Sequence, residues 1–286
     1  MFGDSELNNN YIRVNGMLMD LSEPRVMGVL NITPDSFYDG CRSMGIESIV
    51  RRADMIFSEG ADMIDLGAYS SRPGANDVSE EEEIARLRSA LEVLKNKYPS
   101  AVFSIDTFRS KVAEICVKEY GASIINDISG GEMDSHMFET VAELQVPYIL
   151  THIQGTPQSM QKAPKYDNLR REVLLFFSEK VKQLRDLKVN DIILDPGFGF
   201  GKSLEHNYQM MAHLDDFEIF NLPLLVGVSR KSMIYKLLDT DPKGSLNGTT
   251  VLNTVSLLKG ANIIRVHDVR EAVEAVRIVN ELRKNN

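Results

Sequence analysis

At 286 residues, 43% hydrophobic and 26% charged, the chain has ordinary globular composition and room for one large domain or two small ones. A net charge of −9 argues against broad nucleic-acid binding, which needs Lys and Arg to neutralise phosphates, but leaves room for a local basic pocket. No apolar run reaches the roughly 18–20 residues of a bilayer span, the start MFGDSELNNN lacks signal-peptide character, and Cys41 and Cys116 offer no disulfide framework, so a cytoplasmic location is expected, without membrane or nucleic-acid partners.

Residues 11–21, YIRVNGMLMDL, place Asn15-Gly16 between two short apolar runs, which predicts a β-hairpin whose turn positions need positive φ. Eight further runs follow: VMGVLNI (26–32), DMIDLGA (62–68), AVFSIDT (101–107), SIINDI (123–128), VPYILTH (146–152), DIILDPG (191–197), LPLLVGVS (222–229) and NIIRVH (262–267). Each is nearly all apolar, as strands buried on both faces are. Helical periodicity fills the gaps. Ile84, Leu87, Leu91, Leu94 and Tyr98 form one stripe, with Ser79 and Glu82 as a capping box. Val173, Phe177, Val181 and Leu184 form another, and 268–284 close the chain as an amphipathic helix. Eight βα units predict a (β/α)₈ TIM barrel over 25–286, preceded by an N-terminal segment, 1–24, whose hairpin covers the barrel bottom. An open doubly wound sheet is the competing arrangement.

Polar residues collect at the ends of these runs: Asn31, Ser71-Arg72, Asp106, Asn126, His152, Asp195, Arg230-Lys231 and Arg265 with His267. In a barrel these converge on one mouth. Helix capping accounts for Ser110 and Ser135, but poorly for an acid or amide still inside an apolar strand, as at Asp106, Asn126 and Asp195. Two carboxylates and a carboxamide suit a nitrogen heterocycle with neighbouring N–H donors, while Arg72, Lys231, Arg265 and His267 suit a phosphate. His152 is left open between the mouth and a hydrogen-bonded core. GFGFGKS (197–203) is not a P-loop, since Pro196 stands where the first glycine is required, and Asp134-Ser135-His136 lacks the glycine of a cobalamin motif.

Taken in order, NITPDSFYDG (31–40), SSRPGA (70–75), SIDTFR (104–109), INDISGG (125–131), THIQGTP (151–157), DPGFGFGK (195–202), GVSRKS (227–232) and RVHDV (265–269) resemble the dihydropteroate synthase family from about residue 25 onward. The resemblance implies a (β/α)₈ barrel that condenses 6-hydroxymethyl-7,8-dihydropterin pyrophosphate with para-aminobenzoate by an SN1-like displacement, with Mg²⁺ and as a homodimer. It implies pterin contacts from Asp106, Asn126, Asp195, Lys231 and Arg265, and pyrophosphate contacts from Asn31, Arg72, Arg265 and His267. Asn31 would also hold Mg²⁺. Phe37, Ser71, Pro73, Phe200, Lys231 and Ser232 would shape the para-aminobenzoate site, and Asp35, Arg72, Asp106 and Lys231 would serve the chemistry. Segments 31–45 and 69–78 match the family's two mobile loops. Tyr69, Thr151 and Ile153 depart from the family pattern. Two other readings are a pterin-binding homologue without activity and a methyltetrahydrofolate-dependent methyltransferase.

Overall fold

In the computed structural model, residues 10–32, 42–69, 78–155 and 164–285 are described. The first elements are β1 (Tyr11–Val14) and β2 (Met17–Asp20), an antiparallel pair in which Tyr11 faces Asp20. Asn15 and Gly16 turn the chain at φ 52° and 77°, as the hairpin signal requires.

From Arg25 strands and helices alternate. They are β3 (Arg25–Asn31), α1 (Arg42–Ser58), β4 (Met63–Gly67), α2 (Glu80–Lys97), β5 (Val102–Asp106) and α3 (Ser110–Tyr120). The chain continues with β6 (Ile124–Asp127), α4 (Met137–Leu144), β7 (Tyr148–Thr151), α5 (Leu169–Asp186), β8 (Ile192–Asp195) and α6 (Leu204–Ala212). After a 3₁₀ segment at Leu214–Phe220 come β9 (Leu225–Val226), α7 (Ser232–Tyr235), α8 (Leu246–Leu258), β10 (Ile263–Val266) and α9 (Val269–Lys284). The parallel strands neighbour one another in the order β8-β7-β6-β5-β4-β3-β10-β9. Leu194 N–H donates to the Pro223 carbonyl at 2.8 Å and bridges to Leu224, which joins the two ends into a barrel. The open-sheet alternative is thereby excluded. The seventh apolar run is the one cut short, to a two-residue strand.

Period-two alternation divides the strands' side chains into two sets. The outward set, including Ile64, Leu66, Phe103, Ile105, Tyr148, Leu150 and Ile264, packs under the helices. The inward set begins with Met27, Met63, Val102, Ile124, Ile149, Ile193, Leu225 and Ile263, one residue from each strand, and packs on Ile12, Val14 and Leu21 of the hairpin segment. Ser123 also donates from its hydroxyl to Asn15 Oδ1 at 2.6 Å. The hairpin therefore seals the amino-terminal end of the barrel with a dry apolar floor.

Caps differ in detail from expectation. Ser79 accepts from Glu82 N–H at 3.2 Å, but Glu82 turns its carboxylate to Arg86, so half of the predicted box forms. Neither Ser110 nor Ser135 caps its helix. Asp134 does that work for two elements, accepting from Ser110 N–H at 2.7 Å and His136 N–H at 3.0 Å. Ser203 and His206 make a reciprocal capping box at α6, which gives the residues following Gly201-Lys202 a structural role.

Candidate active site

Two residues beyond the apolar floor, the inward positions change character. Met63 is followed by Asp65, Val102 by Ser104, Ile124 by Asn126, Ile149 by Thr151, Ile193 by Asp195 and Ile263 by Arg265. All but Arg265 are buried. Their polar atoms form a storey inside the barrel, at the carboxyl ends of the strands where barrel enzymes place their sites.

Arg265 is its centre. Nε donates to Asp65 Oδ2 at 2.6 Å and Nη2 donates to Asp106 Oδ2 at 2.8 Å. Asn126 Nδ2 donates to the same Asp65 oxygen at 2.9 Å. Burial alone would lower the Arg265 pKa, but Asp65 and Asp106 outweigh it and hold the guanidinium above its ordinary value. Burial raises Asp106 to about 7 against the pull of Arg265, and neighbouring Asp65 adds to the rise. Asp195 is raised by burial, opposed by Lys231, and its Oδ1 accepts from Gly197 N–H at 2.9 Å. Lys231 is lowered by burial to about 8, although Asp195 favours its charged form. Its Nζ donates to the Phe198 carbonyl at 2.5 Å and lies 4.6 Å from the Phe200 ring centroid. The storey therefore offers both acceptors and donors, with the Phe200 ring beside Lys231.

Above it, Asn31 ends β3 and is exposed. Gly67 sits between Asn31 and Asp106 in register, and a Cβ there would come within 3.4 Å of Asn31 Oδ1 and 3.6 Å of Asp106 Oδ2. Absence of a side chain keeps those two groups on a common space. His267 ends the β10 turn with N–H and Nδ1 each 3.1 Å from the Ser229 hydroxyl, and Ser232 opens α7 beside Lys231. This is the corner after the last two strands, where such barrels commonly bind phosphate.

The expected residues thus divide clearly. Asn31, Asp106, Asn126, Asp195, Phe200, Lys231, Ser232, Arg265 and His267 all lie at the carboxyl ends of the strands or in the turns just beyond them. Asp35, Phe37, Ser71, Arg72 and Pro73 lie outside the described residues. Gly45, read as part of a loop, belongs to α1. Arg230 turns away from Lys231 because its own φ is 55°, and it clamps Asp268 with Nε and Nη2 at 2.9 and 2.8 Å. His152 is a core residue, 5% exposed, with Nδ1 2.9 Å from Lys202 Nζ. Burial, then Lys202, holds its pKa well below the usual value. Tyr69 packs edge-on against Phe108 at 5.1 Å, with Arg109 over its ring at 5.5 Å.

Two buried groups were not anticipated. Asp65 sits mid-strand between Ile64 and Leu66, and the signal that marked Asp106, an acid inside an apolar run, marks it too. Lys202 is 3% exposed, and its Nζ donates to the carbonyls of Gly197 at 3.0 Å and Phe200 at 3.2 Å. Burial lowers its pKa to about 7, and it braces the loop that carries Phe198 and Phe200.

Replacing Asp106 with Asn is expected to trade function for stability. The folded carboxyl titrates above its ordinary value of 3.8, so its share of stability is full below that pH and is lost as pH rises through about 7. Asn, which does not titrate, should therefore raise the melting temperature by roughly 3–6 °C at pH 8 relative to the unaltered chain, and by far less at pH 5. Calorimetry at both values checks this, and a difference independent of pH would refute it.

A closed barrel with acids, an amide, a lysine and an arginine gathered inside its carboxyl-terminal end has the layout of a barrel enzyme, with groups suited to a polar heterocycle next to an anion. The pterin binding enzyme family model matches residues 27–267. Dihydropteroate synthase of Escherichia coli K12 is 44% identical over 266 residues, covering 92% of this chain and 93% of that protein. Among solved structures, a Yersinia pestis dihydropteroate synthase with a sulfonamide drug complex aligns at TM-score 0.89 and 40% identity, covering 96% of this chain and 100% of that one. A Xanthomonas albilineans dihydropteroate synthase with 4-aminobenzoic acid aligns at TM-score 0.87 and 34% identity, covering 96% and 98%. The chain belongs to the pterin-binding enzyme family, among the dihydropteroate synthases.

Proposed function

We propose that this chain joins 6-hydroxymethyl-7,8-dihydropterin pyrophosphate to para-aminobenzoate, forming 7,8-dihydropteroate and releasing pyrophosphate. The observation that carries the reading is the polar storey itself, in which Asp106, Asn126, Asp195, Lys231 and Arg265 gather at the carboxyl ends of the strands beyond an apolar floor. Asp195 suits the neighbouring N–H donors of an amino-pyrimidinone edge, and Lys231 suits its carbonyl. The Arg265 guanidinium offers a flat face to the ring, and with His267 and Arg72 it supplies donors for the pyrophosphate.

No nucleophilic side chain is needed. The pterin ring can donate electrons to its exocyclic CH₂ as the C–O bond to pyrophosphate breaks, and the pair leaves with pyrophosphate. The aniline nitrogen then forms the new C–N bond and loses a proton. Asp106, beside Arg265, would stabilise positive charge on the ring, and Arg265 and His267 would stabilise charge on the departing anion. Water must be kept from that cation, a role the segments around Asp35 and Arg72 would serve. Phe200 and Lys231 would hold the para-aminobenzoate, with Phe37, Ser71, Pro73 and Ser232 completing its site.

Mg²⁺ fits this arrangement as an ion held chiefly by substrate. Among the described residues there is no cluster of three or more His, Cys, Asp or Glu that could cage a metal, whereas the exposed amide oxygen of Asn31 suits a hard cation. Bound there, Mg²⁺ would neutralise charge on the pyrophosphate.

A homodimer is part of the same proposal. Val251 and Leu258 on α8 and Ile278 and Leu282 on α9 are exposed apolar side chains at helical spacing, on two helices that pack together. Light scattering reads the mass, and a monomer would remove the dimer. No helix among the described residues is long and apolar enough to cross a membrane, and Cys116 is buried and unpaired, which supports a cytoplasmic enzyme.

The test is direct. Purified protein with the pterin pyrophosphate, para-aminobenzoate and Mg²⁺ is expected to release pyrophosphate and dihydropteroate in equal amounts, and to stop when either para-aminobenzoate or Mg²⁺ is omitted. Pterin binding without product would instead indicate an inactive homologue.

A further inference from the structure

Asp65 is wholly buried at the middle of β4, two residues above the floor residue Met63, where a carboxylate is costly to desolvate. One of its oxygens is put to double use: Oδ2 accepts from Arg265 Nε at 2.6 Å and from Asn126 Nδ2 at 2.9 Å. Its Oδ1 is buried with no hydrogen-bond partner. Leaving that oxygen bare inside the barrel costs stability, a cost that a role in the site would account for.

The two bonds decide two orientations. Arg265 is held at two points, Nε by Asp65 and Nη2 by Asp106, which together set the plane of the guanidinium. Asn126 has an acceptor and a donor end, and Asp65 can accept only from the donor. Its amide is thereby turned so that Oδ1, which is buried without a partner in the protein, is the end left to a ligand. A site so arranged demands an N–H donor from whatever lies against Asn126.

We propose that Asp65 is the positioning residue of this site, holding Arg265 in one plane and Asn126 in its acceptor-outward orientation before the pterin arrives. The role rests on the pterin reading above and deepens it. Asp65 neither reacts nor binds the para-aminobenzoate half. Because Asp65 Oδ2 is bonded to Arg265 and Asn126, its effect passes through those two side chains.

The experiment uses the full chain and the variant Asp65→Asn, which keeps the size and removes the charge. Affinity for the pterin pyrophosphate is expected to fall by about tenfold or more, the scale of one lost charge-assisted hydrogen bond. KM for para-aminobenzoate should stay within about twofold, and the melting temperature should change little, since Arg265 keeps Asp106 as its partner. In an Asn126→Ala background the same change should cost distinctly less, because one of its two targets is gone. Unchanged pterin affinity, an equal rise in both KM values, or full additivity with Asn126→Ala would overturn the role. Should the variant not fold, crystal structures of the unaltered chain with and without the pterin decide the matter. Arg265 and Asn126 keeping the same side-chain angles and the same Asp65 contacts in both supports the role, and either one leaving Asp65 when the pterin binds overturns it. Failure of the unaltered chain to bind the pterin would overturn the functional reading and this role with it, whereas normal binding with an unaffected variant would overturn the role alone.

Discussion

Arg265→Ala is expected to cost about 3–5 kcal/mol of folding stability at pH 8, because it leaves the carboxylates of Asp65 and Asp106 buried without their shared cation. The loss should shrink on acidification. Asp106, already raised to about 7, titrates higher still without its partner, so its protonation relieves the penalty as pH falls from 8 to 6. Urea unfolding at the two pH values measures both effects. A loss under about 1 kcal/mol at pH 8, or one of equal size at both values, would show that Arg265 does not neutralise the pair. Pterin affinity should fall in parallel, since the same side chain supplies one face of the proposed site.

The second large effect is expected from Gly197→Ala. Gly197 has φ +69°, and a Cβ there would lie 1.9 Å from the His152 carbonyl oxygen. Backbone meets backbone at that point, so no side chain can swing away, and the turn after β8 must move. A loss on the order of 3 kcal/mol follows from the left-handed conformation and the overlap together. The functional cost is separate. Gly197 N–H binds Asp195, the Gly197 carbonyl accepts from Lys202, and the next carbonyl, Phe198, accepts from Lys231. Shifting one peptide therefore disturbs an acid and two lysines at once. Thermal melting and pterin titration of the variant should both deteriorate, and a variant with native melting temperature would mean that the turn relaxes freely.

These two sites also show what the sequence makes legible. The strands were readable because a strand covered on both faces is almost wholly apolar, and the acids and amide inside them stood out against that background. Asp65 has the same signature as Asp106, yet it lies mid-run and not at the end of its strand, where barrel sites are expected. Lys202 was hidden by its neighbours, since a glycine-rich stretch invites comparison with phosphate loops, while the buried acceptors that surround its amine come from folding. Arg230 and Lys231 are adjacent in sequence, and only the positive φ of Arg230 sends them to different tasks. Caps were misread for a related reason. Asp134 reaches Ser110 across 24 residues, a contact with no local signature. Segments bearing Asp35 and Arg72 rest on family resemblance and their chemistry.

The hairpin under the barrel has a consequence for traffic. Ile12, Val14 and Leu21 close one end against the ring of floor residues, so among the described residues the barrel is stoppered from below. Whatever occupies the storey of Asp195 and Arg265 must pass through the level of Asn31, Phe200 and His267 on its way in and out. Under the proposed function, two occupants sharing that route would enter in order, the deeper one first. A molecule resting at the doorway would bar the deeper one from leaving, and would itself arrive usefully only after the deeper place was filled.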